Sequence, residues 1–181
     1  MYIERALEPL VRRYSENFKI VAVTGPRQVG KTTMLKHLME EEAESGVDRV
    51  YVTLDNTAIL QTAKEDPALF LQRYRPPVLI DEIQKAPELL PYIKMIVDER
   101  DDCGSVWITG SQPLHLMKAV SESLAGRVGI VEMLGLSHSE VAGTPSEPYL
   151  PSADYFMRRV DMAKPCLLYT SPSPRDRSVS R

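Results

Sequence analysis

Short apolar runs rich in β-branched residues alternate with longer amphipathic segments along most of this 181-residue chain. Each run is too short for a helix and ends in glycine or polar residues, which is typical of a strand buried on both faces of a sheet. The predicted strands are 20–24, 50–54, 78–80, 106–109 and 128–134. Strands that alternate with helices at this spacing predict an α/β fold, in which a parallel sheet lies between two layers of helices.

The segments around these strands carry helix signals. The predicted helices are 3–18, 31–44, 66 to about 75, 87 onward, 113–124 and 137 onward. Pro9 predicts a kink or a later start in the first of them. Asp66 followed by Pro67 has the form of an N-cap and a first helical residue. Ser137, with Glu140 three residues later, has the form of a capping box.

Polar residues follow three of the predicted strands, at 25–33, 81–82 and 111–112. Ligands of open parallel sheets bind beyond the carboxyl ends of the strands. We therefore expect the chemistry of this chain to lie in these three segments.

The first segment contains GPRQVGKT at 25–32, which satisfies the pattern G-x-x-x-x-G-K-[ST]. In such a loop the backbone N–H groups surround phosphates, Lys31 would reach the β- and γ-phosphates, and Thr32 would offer a hydroxyl to Mg²⁺. A chain of this length matches the pattern by chance under roughly 1% of the time. The residues predicted to bind nucleotide are Gly25, Pro26, Arg27, Gln28, Val29, Gly30, Lys31, Thr32 and Thr33.

The second segment, Asp81-Glu82, ends the apolar run VLI and has the form of a Walker B strand. Asp81 would hold Mg²⁺, generally through water. Glu82 would orient or deprotonate the water that attacks the γ-phosphate. Lys31 and Glu82 are thus predicted catalytic residues, and Thr32 and Asp81 predicted metal ligands.

Two further positions have an open interpretation. Ser111 and Gln112 could sense the γ-phosphate, with Gln112 preferred because its amide both donates and accepts, or they could be turn or N-cap residues. Arg127 follows Gly126 at a predicted helix-to-strand junction. It could be an arginine finger, acting in its own chain or in a neighbouring subunit, or a cation at a helix C-terminus.

Composition excludes several other classes of protein. Lys and Arg number 22 against 25 Asp and Glu, which argues against binding of nucleic acid by the whole surface, although scattered Arg pairs leave a local patch open. The sequence has no apolar run of roughly 18 residues and no apolar leader at its start, so we expect a cytoplasmic protein without a membrane span. The three histidines and two cysteines lack the spacing of a metal site or of a disulfide framework.

Four ordered blocks resemble the AAA-type ATPases of bacteria and archaea that are usually described only as ATP-binding proteins. They are TGPRQVGKTTML (24–35), VLIDEIQKAP (78–87), ITGSQ (108–112) and SESLAGRV (121–128). The resemblance implies a three-layer P-loop NTPase fold of the additional-strand type, with about five parallel strands in the order 5-1-4-3-2. It also implies Mg²⁺ and ATP as ligands, and it favours adenine over guanine.

The resemblance implies roles for individual residues. Gly25, Gly30, Lys31 and Thr32 would serve phosphate and metal, Asp81 and Glu82 would serve metal and water, and Arg127 falls in the Gly-Arg block of the family. Members typically carry a further C-terminal domain that is similar to nuclease folds.

The last residues of the sequence indicate an origin outside the natural gene. Cys166–Asp176, CLLYTSPSPRD, matches a translated transposase adapter of the kind used in preparing sequencing libraries. We therefore expect an ATPase core at 1–145, a linker or the start of a missing C-terminal domain at 146–165, and an artefactual, disordered tail at 166–181.

The function predicted from these residues is Mg²⁺-dependent ATP hydrolysis that drives a conformational change in an attached domain or partner. The alternative is a nucleotide-gated binding module with negligible turnover, and a small-molecule kinase is a weaker third hypothesis. Homo-oligomerisation and nucleic-acid binding stay open.

Overall fold

Five parallel strands form one sheet in the computed structural model, which describes residues 2–111 and 123–143. The strands are β1 (Ile20–Thr24), β2 (Val50–Thr53), β3 (Val78–Asp81), β4 (Val106–Gly110) and β5 (Val128–Glu132). They are hydrogen-bonded in the order β2-β3-β4-β1-β5, with every neighbouring pair parallel. The predicted α/β class and the strand order 5-1-4-3-2 are therefore confirmed.

Helices cover both faces of this sheet. Within the described residues they are α1 (Glu8–Asn17), α2 (Lys31–Glu44), α3 (Thr57–Glu65), α4 (Pro67–Arg73), α5 (Leu89–Asp98) and α6 (His138–Val141). None of these helices has the length and apolarity that crossing a membrane requires.

The ends of several helices follow the signals in the sequence. Helix α1 begins at Glu8, with Pro9 in its first turn. Of the two effects expected of Pro9, a kink or a start later than residue 3, the structure shows the later start. The Asp66 carboxylate accepts a hydrogen bond from the Leu69 N–H at 2.9 Å and so caps α4. Ser137 and Glu140 make both hydrogen bonds of a capping box at the start of α6.

Alternating side chains of β1 divide the core into two layers. Ile20 and Ala22 pack with the helices α3, α4 and α5, while Val21 and Val23 pack with α1 and α2. All five residues of β1 are buried. Each fully buried Val or Ile side chain contributes about 1.5–3 kcal/mol, so the central strand that leads into the glycine-rich loop is firmly held.

Some elements differ from the predictions. Helix α3 was not predicted, although the Asn56 side chain caps it by accepting from the N–H groups of Ala58 and Ile59. Helix α5 begins at Leu89 because a 3₁₀ turn, Ile83–Lys85, precedes it. Strand β5 ends at Glu132, opposite Thr24, because β1 ends there and offers no further partner. The described residues do not include Gln112, the predicted helix 113–124 except its last two residues, or the ranges 146–165 and 166–181.

Candidate functional site

The glycine-rich loop, residues 25–30, joins the carboxyl end of β1 to the start of α2. Gly25 has φ +141°, and a Cβ built on it would lie 2.0 Å from the backbone oxygen of Met133. Gly30, at φ +94°, is the N-cap residue of α2. Both positions require glycine, because one has no room for a side chain and the other has a backbone conformation that L-residues rarely adopt.

Lys31 lies in the first turn of α2 and is only 6% exposed. Its ammonium donates hydrogen bonds to the carbonyl oxygens of Gly25 at 3.0 Å and Pro26 at 2.7 Å. Burial lowers the pKa of Lys31, and the negative charges of Glu82 and Asp81 oppose that shift. The loop thus holds a desolvated cation at the N-terminus of a helix, where the macrodipole adds positive potential.

A pocket of about 380 Å³ opens beside this loop. Lys31 and Thr32 line it from α2, and Arg27 lines it from the loop. Glu82 and Lys85 line it from the segment that follows β3. The pocket therefore brings together two of the three segments that the sequence predicted to carry chemistry.

Three hydroxyl groups surround the carboxylate of Asp81, which is 6% exposed. Thr32 Oγ1 donates to Asp81 Oδ1 at 2.9 Å, and the Thr109 hydroxyl donates to the same oxygen. Tyr51 Oη donates to Asp81 Oδ2 at 3.1 Å. Burial, followed by the charge of Asp81, raises the pKa of Tyr51 to about 12, so the phenol remains a donor.

The pair of Thr32 and Asp81 fits the oxygen ligands that Mg²⁺ prefers. Among the described residues there is no group of three or more His, Cys, Asp or Glu that could hold a metal ion. A metal at this pair would accordingly take most of its ligands from water and phosphate, as Mg²⁺ commonly does.

Glu82 has φ +62°, an unusual conformation for a residue other than glycine. Its N–H donates to Thr109 Oγ1 at 3.2 Å. Its carboxylate accepts from the Gln84 side-chain amide and from Ser111 Oγ, the latter at 3.2 Å. The strained backbone and these two donors orient the carboxylate on the wall of the pocket.

Ser111 and Arg127 occupy different edges of the sheet. Ser111 follows β4 at the carboxyl edge and reaches Glu82, whereas Arg127 directly precedes β5, where its carbonyl accepts from the Ile20 N–H at 3.0 Å. The length of a five-residue strand, about 16 Å, therefore separates Arg127 from the loop. Its guanidinium instead forms a bidentate ion pair with Asp98, which raises the pKa of Arg127.

Arg127 therefore lies away from the loop in this structure, and an arginine finger within its own chain stays a prediction that no contact among the described residues supports. A role towards a neighbouring subunit stays a prediction. The guanidinium also donates to the carbonyl of Ala125 at 2.9 Å.

Several residues around the site were missed from the sequence. Thr109 and Tyr51 hold Asp81, Gln84 holds Glu82, and Arg5 donates to the carbonyl of Val29 in the loop at 2.7 Å. Thr109 and Tyr51 lie on strands next to β3 in the sheet, so a predicted strand order could have placed them near Asp81. The sequence carries no comparable signal for Arg5, whose contacts depend on where the chain before α1 packs.

The model of a family described as "AAA domain" matches residues 17–142. Two relatives, the uncharacterized proteins Rv2008c of Mycobacterium tuberculosis and Mb2031c of Mycobacterium bovis, are each 33% identical over 137 residues. That match covers 76% of this chain, which spans about 30% of the length of those relatives.

A solved structure shows the same fold. AMPPCP-bound DnaA from Aquifex aeolicus superposes with a TM-score of 0.53 at 17% identity, over 74% of this chain and 48% of that chain.

Proposed function

Because the chain belongs to the AAA domain family, we propose that it binds Mg²⁺-ATP at the loop 25–30 and hydrolyses it. The observation that carries the proposal is the convergence of Lys31, Thr32 and Glu82 on one pocket, in which Thr32 is also hydrogen-bonded to Asp81. Hydrolysis would drive a conformational change in an attached domain or partner. The relatives are about three times longer than the matched part, which supports an attached domain.

Phosphate binding follows from the loop and the start of α2. The N–H groups of Gly30, Lys31 and Thr32 stand at a helix N-terminus, where they are free of helical partners and favour an anion. The Lys31 ammonium would exchange its bonds to the Gly25 and Pro26 carbonyls for phosphate oxygens. Its lowered pKa reflects poor solvation, which strengthens its attraction to a phosphate in the same pocket.

Thr32 and Asp81 would hold Mg²⁺ directly or through water. The ion would neutralise charge on the β- and γ-phosphate oxygens. Thr109 donates to Asp81 Oδ1 and Tyr51 to Asp81 Oδ2, and together they would hold the carboxylate in place beside Thr32.

Glu82 would accept the proton of the attacking water. Its carboxylate is engaged by Gln84 and Ser111, and both donors would have to share or release it as the water binds. Ser111 stands at the carboxyl end of β4, so it could report the presence of the γ-phosphate to Glu82. Gln112, the other predicted sensor, stays a prediction.

The nucleoside would occupy a second cavity, of about 490 Å³, on the other flank of the loop. Tyr2, Ile3 and Leu136 line it together with the polar residues Arg5 and Gln28, and it shares Gly30 and Thr33 with the phosphate pocket. An aromatic ring and aliphatic side chains suit the faces of a purine base.

Two substitutions test this function. Lys31→Ala should abolish binding of a fluorescent ATP analogue, while Glu82→Gln should retain binding and lose phosphate release. Lys64→Ala and Glu40→Gln make the same changes at exposed positions of α3 and α2 and should behave as wild type. Wild-type turnover by Glu82→Gln would refute the role of Glu82, and wild-type binding by Lys31→Ala would refute the site.

The engagement of Glu82 by two donors favours one alternative, a nucleotide-gated binding module with negligible turnover. In that case wild-type protein would bind ATP and release no phosphate, and Gln84→Leu, which frees the carboxylate from one donor, would not create turnover. Phosphate release by the wild-type chain would decide for the ATPase.

A further inference from the structure

Arg5 is a charged residue that the fold buries almost completely, at 6% exposure, in the segment before α1. Burying a guanidinium is costly unless its N–H groups find partners, so those partners show what the burial is for. Nε donates to Glu140 Oε1 at 3.0 Å, Nη1 to the Val29 carbonyl at 2.7 Å, and Nη2 to the Leu134 carbonyl at 2.8 Å. One side chain therefore joins the glycine-rich loop, the turn after β5 and helix α6.

The bond to Val29 acts on the peptide that leads into Gly30. That peptide is trans, so its C=O and N–H groups point in opposite directions. A guanidinium that fixes the Val29 carbonyl on one side fixes the Gly30 N–H on the other. Glycine at φ +94° has no Cβ to restrict rotation of this peptide, so an external anchor matters more here than elsewhere in the loop.

Glu140 in turn holds Arg5. It is 5% exposed, and its carboxylate also accepts from the N–H groups of Ala6 at 2.9 Å and Ser137 at 2.6 Å. Burial alone would raise the pKa of Glu140, but the hydrogen bonds from Ser137, Ala6 and Arg5 lower it to about 2. The pair is therefore fully charged at neutral pH, and its position is set from both sides.

We propose that Arg5, held by Glu140, is a positioning residue that orients the Gly30 N–H towards the phosphates and links the phosphate site to helix α6. The inference rests on the proposed function. It assigns a role to a residue that precedes the glycine-rich loop by twenty positions and acts on it through the Val29 peptide, besides lining the cavity proposed for the nucleoside. Nucleotide bound at the loop would then affect helix α6 through Arg5 and Glu140.

The chain offers a matched control at the opposite edge of the sheet. Arg49, 7% exposed, is paired with Glu42 at 2.9 Å and stacks on Trp107 at 3.9 Å from the ring centroid. Arg49 precedes β2 and so lies at the amino edge, away from the loop. Replacing it by lysine disturbs a buried Arg–Glu pair without touching the phosphate site.

The experiment compares Arg5→Lys, Glu140→Gln and Arg49→Lys in the full chain. One ammonium cannot span three acceptors in different directions, so Arg5→Lys should raise the Kd for a fluorescent ATP analogue about 10-fold or more. Glu140→Gln, which keeps the shape of the side chain and loses its charge, should raise Kd in the same direction. Arg49→Lys should lower the melting temperature with Kd within about twofold of wild type.

Amide hydrogen exchange of residues 26–33, measured without nucleotide, gives a second readout. It should accelerate in Arg5→Lys and Glu140→Gln and stay unchanged in Arg49→Lys. Should Arg5→Lys fail to fold, Glu140→Gln alone carries the test. Should the wild-type chain fail to bind ATP, the proposed function falls and the exchange data still decide whether Arg5 orders the loop.

Two outcomes overturn the inference. The first is wild-type affinity and exchange in both Arg5→Lys and Glu140→Gln. The second is an equal loss of affinity in Arg49→Lys, which would show that any buried pair matters only through global stability.

Discussion

Replacing Gly25 by alanine should disable the nucleotide site through a steric clash at the start of the loop. The new Cβ would stand 2.0 Å from the Met133 carbonyl oxygen, whereas ordinary contact begins at 3.4 Å. The Met133 N–H donates to the Thr24 carbonyl at 2.8 Å, so β5 cannot retreat without breaking that bond. The loop itself must therefore move by about 1.4 Å.

The size of the effect follows from that displacement. A shift of about 1 Å in a positioning element can cost about 100-fold in activity, so we expect ATP affinity to fall at least that far. Alanine at φ +141° adds backbone strain of about 1–3 kcal/mol. With the strained contact to β5, the free energy of unfolding should fall by about 2–4 kcal/mol.

Gly46→Ala is the matched control. Gly46 also has positive φ, at +91°, but a Cβ there meets no atom within 4 Å. It should lose about 1 kcal/mol of stability with unchanged ATP affinity. Both variants are measured by titration with a fluorescent ATP analogue and by urea unfolding. If Gly25→Ala binds ATP like wild type and unfolds like Gly46→Ala, the close approach of loop and β5 is not what sets the site.

Three other predictions concern residues at or near the sheet edges. Tyr51→Phe removes one donor to Asp81 and should lower the free energy of unfolding in urea by about 1–2 kcal/mol, whereas no change would show that the bond is dispensable. The pKa of Glu140 is lowered from 4.5 to about 2, so its stabilisation is complete above pH 4.5 and is lost as pH falls through 2. The gap in urea stability between wild type and Glu140→Gln should therefore narrow by about 2 kcal/mol from pH 7 to pH 3, and a constant gap would contradict this. Arg127→Ala should leave the ATP affinity of dilute protein unchanged, because the structure pairs Arg127 with Asp98 far from the loop. Turnover that rises with protein concentration in wild type and not in Arg127→Ala would support a role in a neighbouring subunit; equal concentration dependence would count against it.

The parts of this molecule that depend on local sequence could be predicted. Strands β1, β3 and β4 are apolar runs that end at a glycine or a polar residue, and α2 starts at Lys31 because Gly30, at φ +94°, lies outside the helical conformation. The capping box of Ser137 and Glu140 is equally local, since its two hydrogen bonds span three residues.

The side-chain contacts between distant segments were not predicted. Tyr51 and Thr109 reach Asp81 from 30 and 28 residues away, and Arg5 reaches Glu140 from 135 residues away. The strand order expected from the resemblance would have placed Tyr51 and Thr109 on the strands beside β3, whereas nothing in the sequence shows where the N-terminal segment packs. The position of Arg127, by contrast, could have been predicted from the sequence. In a parallel sheet, a residue that directly precedes a strand lies at the edge away from the loop.

The buried contacts of Arg5 also decide how the protein should be cut for biochemical work. A recombinant fragment trimmed to the matched range 17–142 would lose Arg5 and nearly all of α1 while keeping their partners. The carboxylate of Glu140 would then stand without its cation, and the side chains that pack on Val11 would meet water. Such a fragment could be taken for an inactive member of its family when it only lacks Arg5 and the packing of α1. Expression boundaries should therefore begin no later than Tyr2.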